Sequence, residues 1–249
     1  MKRLSVAMTL FIAATFIVGC SSSEKIDTNT ASGAFALAQK YEKDERYDEA
    51  ISEYSDVKNK FPYSRFAVEA QLKIADLQFK QENYAEAESD YRLFKEFHPN
   101  YSKSDYVTYR VGLSVFKQLP PTTDRDLSLA KTAISNFKDV ITNYPASPYA
   151  VKAKDYIAKC RKMLAEKEKY IADYYFGQEK WISALGRYED LMRKYPDEGF
   201  GVQALYGATV SAYKMKDMER AKTYFKQLLE EYPNSSQLSR ARKELADGF

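Results

Sequence analysis

The chain has 249 residues, 45% of them hydrophobic, and its 29% charged residues nearly cancel to a formal net charge of +3. That balance gives no support to nucleic-acid binding, which draws on a strongly basic surface. The one histidine, His98, stands beside a proline in a turn and reads as a surface residue, so neither a histidine-based triad nor a multi-histidine metal site is expected.

Taken in order, residues 1–19 read as an export leader. Lys2 and Arg3 precede an apolar run from Leu4 to Val18, broken by Ser5, Thr9 and Thr15, that is short for a membrane span. Its end, Ile17-Val18-Gly19-Cys20, resembles the lipobox of bacterial lipoproteins, which implies that Cys20 is acylated and becomes the mature N-terminus. Each buried lipid methylene contributes about 0.8 kcal/mol, and two or more chains anchor a protein stably. Ser21 resembles the sorting pattern of lipoproteins sent to the outer membrane. Residues 20–30 are polar and read as a tether. Cys160 is then left without a partner and is expected inside a helix contact.

A repeat begins at Tyr47. YDEAISEYSDVKNKFP (Tyr47 to Pro62) returns as YAEAESDYRLFKEFHP (Tyr84 to Pro99), AKTAISNFKDVITNYP (Ala130 to Pro145), WISALGRYEDLMRKYP (Trp181 to Pro196) and MERAKTYFKQLLEEYP (Met218 to Pro233). Aligned on the closing proline, the copies share an alanine (Ala50, Ala87, Ala133, Ala184, Ala221) and an aromatic four residues on (Tyr54, Tyr91, Phe137, Tyr188, Phe225). An apolar residue follows three further along (Val57, Phe94, Val140, Leu191, Leu228). Spacings of i, i+4 and i+7 fall on one helical face, and proline ends the helix. Short polar turns such as Gln81-Glu82-Asn83 predict antiparallel helix pairs. Ser64, Ser104, Ser147 and Ser235 are expected to cap the helices that follow each proline. The Ala87–Ala133 spacing is longer than the 37 residues of the first pair, with the excess in a loop at Pro120-Pro121. Another excess lies in VKAKDYIAKCRKMLAEKEKYIADYY, free of Gly and Pro, which predicts one long helix. The expected division is repeats 1–3 over 31–160, then the linking helix and repeats 4–5 over 161–249.

The alanine–aromatic–proline signature resembles the tetratricopeptide repeat, a helix–turn–helix unit. Leu37, Ala38 and Tyr41, and again Ile171, Ala172 and Tyr175, match its first helix. The resemblance implies an all-α superhelix, a solenoid of about five repeats whose first helices line the concave side. Aromatics off the template, among them Tyr63, Phe66, Tyr106 and Tyr109, either line a peptide groove there or pack the next repeat. The two glycines Gly199 and Gly201 have no preceding strand and do not form a phosphate loop. No cofactor and no enzymatic activity are expected.

Longer runs carry a closer resemblance. DYVTYRVGL (Asp105 to Leu113), Asp124-Arg125-Asp126, and LAEKEKYIADYY followed by Trp181, Arg187 and RKYPD are similar to the BamD family of outer-membrane β-barrel assembly lipoproteins. Arg110 departs from it by one position. The resemblance implies a lipid-anchored scaffold on the outer membrane of a Gram-negative bacterium, facing the periplasm. It implies that N-terminal repeats receive unfolded outer-membrane protein segments and that C-terminal repeats dock, through Arg187, on the periplasmic domain of a BamA-like barrel insertase alongside other assembly-machinery lipoproteins. The rival reading is another tetratricopeptide lipoprotein, a secretin pilotin or a peptidoglycan or cell-division adaptor.

Overall fold

The computed structural model describes residues 26–245; the leader and the expected lipidation site Cys20 lie outside them. Eleven helices follow one another among the described residues, and no strand. Four form repeats 1 and 2: α1 (Ala31–Lys43), α2 (Tyr47–Lys60), α3 (Arg65–Lys80) and α4 (Tyr84–Phe97). Repeat 3 is α5 (Ser104–Lys117) with α6 (Ser128–Asn143). The long α7 (Pro148–Gly177) leads into α8 (Trp181–Lys194), and α9 (Gly201–Lys214) pairs with α10 (Met218–Glu231). A short α11 (Ser236–Glu244) closes the array, burying Leu238 and Ala241 and so covering the last repeat's open side. From α1 to α10 each helix packs chiefly on its neighbours in sequence, as in a solenoid, while α11 rests more on α9 than on α10.

The template alanines are wholly buried, and so are Tyr54, Tyr91 and Phe137, with Tyr188 nearly so. Phe225 is half-buried, because only α11 follows it. Small residues on the first helices meet them: Ala38, Ala75, Gly112, Ala172 and Ala208 are all interior. At Gly112 the approach leaves no room for a side chain, since a Cβ there would stand 2.9 Å from the Phe137 ring.

Two kinds of turn alternate. Before each closing proline the C-cap residue is pushed out of the helical region, with φ between −128° and −136° at Phe61, His98, Tyr144, Tyr195 and Tyr232. Within four of the repeats the turn is a Schellman motif whose left-handed residue is not glycine: Glu45 (φ 59°), Glu82 (65°), Glu179 (56°) and Lys216 (64°). The bonds from Arg46 N–H to the Tyr41 carbonyl and from Asn83 N–H to the Gln78 carbonyl close it, each 2.9 Å. Ser64, Ser147 and Ser235 cap as expected. Ser104 does not: it is the first residue of α5, and its hydroxyl donates back to the Tyr101 carbonyl at 2.6 Å.

Helix α7 runs unbroken for 30 residues. Its first half, with Cys160 and Leu164, belongs to the core of repeat 3; from Ala165 it joins the core of repeats 4 and 5. Residue 160, the expected boundary, therefore lies inside one rigid element. Arg161 reinforces the junction by pairing with Glu198 at 2.9 Å beyond α8. The insertion between α5 and α6 is held as well: the Asp126 carboxylate accepts from the Ser128 N–H (3.1 Å) and hydroxyl (2.7 Å), and Lys167 of α7 donates to the Arg125 carbonyl.

Candidate functional site

A groove of about 1160 Å³ runs along the first helices of repeats 1–3. Phe35 and Gln39 of α1, Val68, Leu72 and Asp76 of α3, Asp105 and Tyr106 of α5 and Tyr149 of α7 line it. Its charges alternate: Arg65, Lys73 and Lys103 face Glu69, Asp76 and Asp105. Mixed charge among apolar and aromatic side chains suits an extended polypeptide better than a small, highly charged ligand.

One wall of the groove is a network that the template alone does not specify. The buried hydroxyl of Tyr91 donates to Asp76 Oδ1 at 2.5 Å, and Tyr106 donates to the same oxygen at 2.5 Å. Arg110 donates to the Tyr91 hydroxyl at 2.7 Å and lies 3.7 Å over the Phe79 ring. Burial first, and the Asp76 charge second, push the Tyr91 and Tyr106 phenols well above the usual tyrosine range. Both stay neutral donors, fixing the Asp76 carboxylate that lines the groove, with the Arg110 guanidinium braced on Tyr91 and Phe79. Repeat 1 has a relative of this arrangement: Tyr54 donates to Glu42 at 2.6 Å, and Lys73 of the next repeat pairs with Glu42 at 2.8 Å.

The expected groove residues divide. Tyr106 lines the groove. Phe66 packs on Phe35 with ring centroids 5.3 Å apart, behind the surface. Tyr109 belongs to the core instead, stacked 5.1 Å from Tyr149 and near Phe137, because its place on α5 turns it toward α6 and α7; burial pushes its phenol up to about 12. Tyr63 sits fully exposed in the turn between α2 and α3 and does not line the groove. His98 is half-buried, where a surface position was expected. Its Nε2 stands 3.0 Å from Gln71 Oε1, its ring packs on Phe94, and burial lowers its pKa.

The second candidate surface is on repeats 4 and 5. Arg187 is half-exposed on α8 and pairs with Glu168 of α7 at 3.1 Å. An ion pair this exposed contributes about 0–1 kcal/mol, so Arg187 can exchange Glu168 for another carboxylate at little cost. At the start of α8, Trp181 and Ile182 border a shallow cleft with Met215 at the end of α9, and Ile182 is 75% exposed. Tyr170 and Tyr174 add exposed aromatic surface on α7. Cys160 is wholly buried, and burial pushes its thiol up to about 11, so it is no nucleophile at neutral pH.

The molecule is thus a tetratricopeptide solenoid with a polypeptide-sized groove in its first half and an apolar, arginine-bearing surface in its second. The sequence matches the YfiO family, described as an outer membrane lipoprotein, over residues 27–205, and a tetratricopeptide repeat over residues 203–235. The chain belongs to the YfiO family. Its relatives include proteins named outer membrane protein assembly factor BamD. That of Vibrio cholerae is 27% identical over 89% of this chain and 96% of its own length; that of Rickettsia prowazekii is 27% identical over 97% and 96%. The Pasteurella multocida protein of the same name is 26% identical over 84% of this chain and 82% of its own.

Proposed function

We propose that the protein is an outer membrane protein assembly factor, as its relatives' names state of them, and that it works as a scaffold with two separate polypeptide surfaces. The N-terminal groove receives unfolded segments of β-barrel precursors. The C-terminal surface around Arg187 docks on the periplasmic domain of the barrel insertase, and the acylated Cys20 holds the assembly at the membrane, facing the periplasm. The observation that carries this reading is the groove itself: first-helix side chains of three successive repeats form one continuous, mixed-charge channel. Backbone hydrogen bonds and alternate side chains give such channels affinity for extended chains without demanding one sequence.

Docking through Arg187 is tested by co-purification. Arg187→Ala in solubilised outer membranes should recover markedly less barrel insertase, since losing a desolvated interfacial charge costs about 2–5 kcal/mol. Melting should stay close to wild type, because the Glu168 pair is exposed. Unchanged recovery would remove Arg187 from the docking surface.

A further inference from the structure

Between the last two repeats lies a small cavity of about 200 Å³, bounded by α8, α9 and α10. Three aromatic rings wall it, each from a turn: Tyr195 ends α8, Phe200 precedes α9 and Tyr232 ends α10. Gly201 makes room for the last of them, since a Cβ there would collide with the Tyr232 hydroxyl. Glu231 is the one charged residue of the lining. Gln227 Nε2 donates to Glu231 Oε1 at 2.7 Å, which leaves Glu231 Oε2 and Gln227 Oε1 as open acceptors. The counterpart between α4, α5 and α6 is built differently. It has Lys95 four residues after Tyr91 and Asp139 two after Phe137, and with Arg92 and Glu96 its charges are matched. At the same places after Tyr188 and Phe225 stand Met192 and Gln227. The later cavity therefore combines aromatic walls and a carboxylate with no cation of its own. Ring faces and carboxylate are both negative, so such a lining attracts a positive group.

We infer that this cavity receives one arginine side chain of a partner polypeptide, an inference that rests on the reading that repeats 4 and 5 dock such a partner. The volume suits a single side chain and not a length of main chain. A guanidinium fits the lining better than an ammonium, because it is flat, stacks on aromatic faces and carries several N–H donors in a fixed fork. Glu231 Oε2 and Gln227 Oε1 accept those donors, and the carboxylate bond is the stronger for being charged. Tyr195 already takes one guanidinium. Arg161, neutralised by Glu198 and no part of the lining, lies 5.6 Å from its ring centre. The cavity and Arg187 read opposite signs: Arg187 pairs with a carboxylate, and the cavity takes a cation. A partner that presents one of each is held at two points, which fixes its orientation on the last repeats.

The test titrates the full chain in detergent, labelled with carbon-13 at its methionine methyls, with acetyl-arginine amide or its neutral isostere acetyl-citrulline amide. The Met192 signal, assigned by its loss in Met192→Leu, should move saturably with the arginine compound and not with the citrulline one. Glu231→Gln should weaken binding roughly tenfold, the effect of one charged hydrogen bond, and melt as the wild type does, because Glu231 is exposed. No movement, equal movement with citrulline, tighter binding of acetyl-lysine amide, or an unchanged titration in Glu231→Gln would each overturn the inference. The titration contains no partner, so its outcome is separate from the recovery of the insertase. A photo-crosslinker at Glu230, beside Gln227 and Glu231 on α10, then tests the occupant in outer membranes. The captured peptide should carry an arginine next to the crosslinked residue. A peptide without arginine there, or no captured polypeptide, would overturn the assignment.

Discussion

Repeats 2 and 4 begin from the same arrangement and end in different surfaces. In each, the template tyrosine donates to an aspartate fifteen residues earlier: Tyr91 to Asp76 at 2.5 Å, Tyr188 to Asp173 at 2.7 Å. The difference comes from the following repeat. Against Tyr91, α5 brings Tyr106 and Arg110, which complete a polar wall and leave a groove. Against Tyr188, α9 brings Gly207, whose missing Cβ lets the backbone lie directly on the ring, and the space closes. The repeat template sets the stack; a few residues on the next first helix decide whether a face is open to a ligand.

The largest effect should come from the shared tyrosine. Tyr91→Ala and Tyr188→Ala should each lower unfolding free energy by about 3–5 kcal/mol in urea denaturation. If only one does, the two repeats are not equivalent cores. Gly207→Ala should cost about 1–3 kcal/mol by overpacking Tyr188. A similar loss is expected from Asp76→Ala, about 1–3 kcal/mol, and a smaller one from Asp173→Ala, because Asp76 serves two phenols and Asp173 one. Equal losses would show that the groove wall adds nothing to stability.

The buried phenols also predict a pH dependence. Tyr54, Tyr91, Tyr106 and Tyr188 are all raised, by burial first and by neighbouring carboxylates next. A raised pKa means that the fold favours the neutral phenol. Its contribution is complete below the unfolded value of about 10 and is lost as pH rises beyond it. Thermal melting should therefore fall steeply above that pH, with phenolate absorbance appearing together with unfolding. The smallest change is a gain: Glu82→Gly or Glu179→Gly relieves a left-handed backbone and should stabilise by about 0.5–1 kcal/mol.

Much of this was legible in the chain. The five alanine–aromatic–proline copies fixed helix pairing, the buried face and the pre-proline stops, and the Gly- and Pro-free run foretold α7. The groove was less legible. Tyr109 and Tyr106 lie three residues apart on α5, yet one is core and the other wall, and periodicity alone cannot say which way a neighbouring repeat turns. A signal for the wall did exist. Asp76 and Asp173 each follow a buried alanine and precede a template tyrosine by fifteen, while the repeats with phenylalanine carry Leu113 and Thr209 after their buried small residues Gly112 and Ala208. Ser104 misled because a serine after a proline turn can bond backward to a carbonyl as readily as forward to an N–H.

The claim that the two halves hold different polypeptides is tested most directly by photo-crosslinkers placed at Val68 in the groove and at Ile182 in the exposed cleft of α8, in membranes that are synthesising barrel proteins. The account predicts barrel precursor captured from Val68 and barrel insertase from Ile182. The same partner captured at both positions, or the two exchanged, would contradict it.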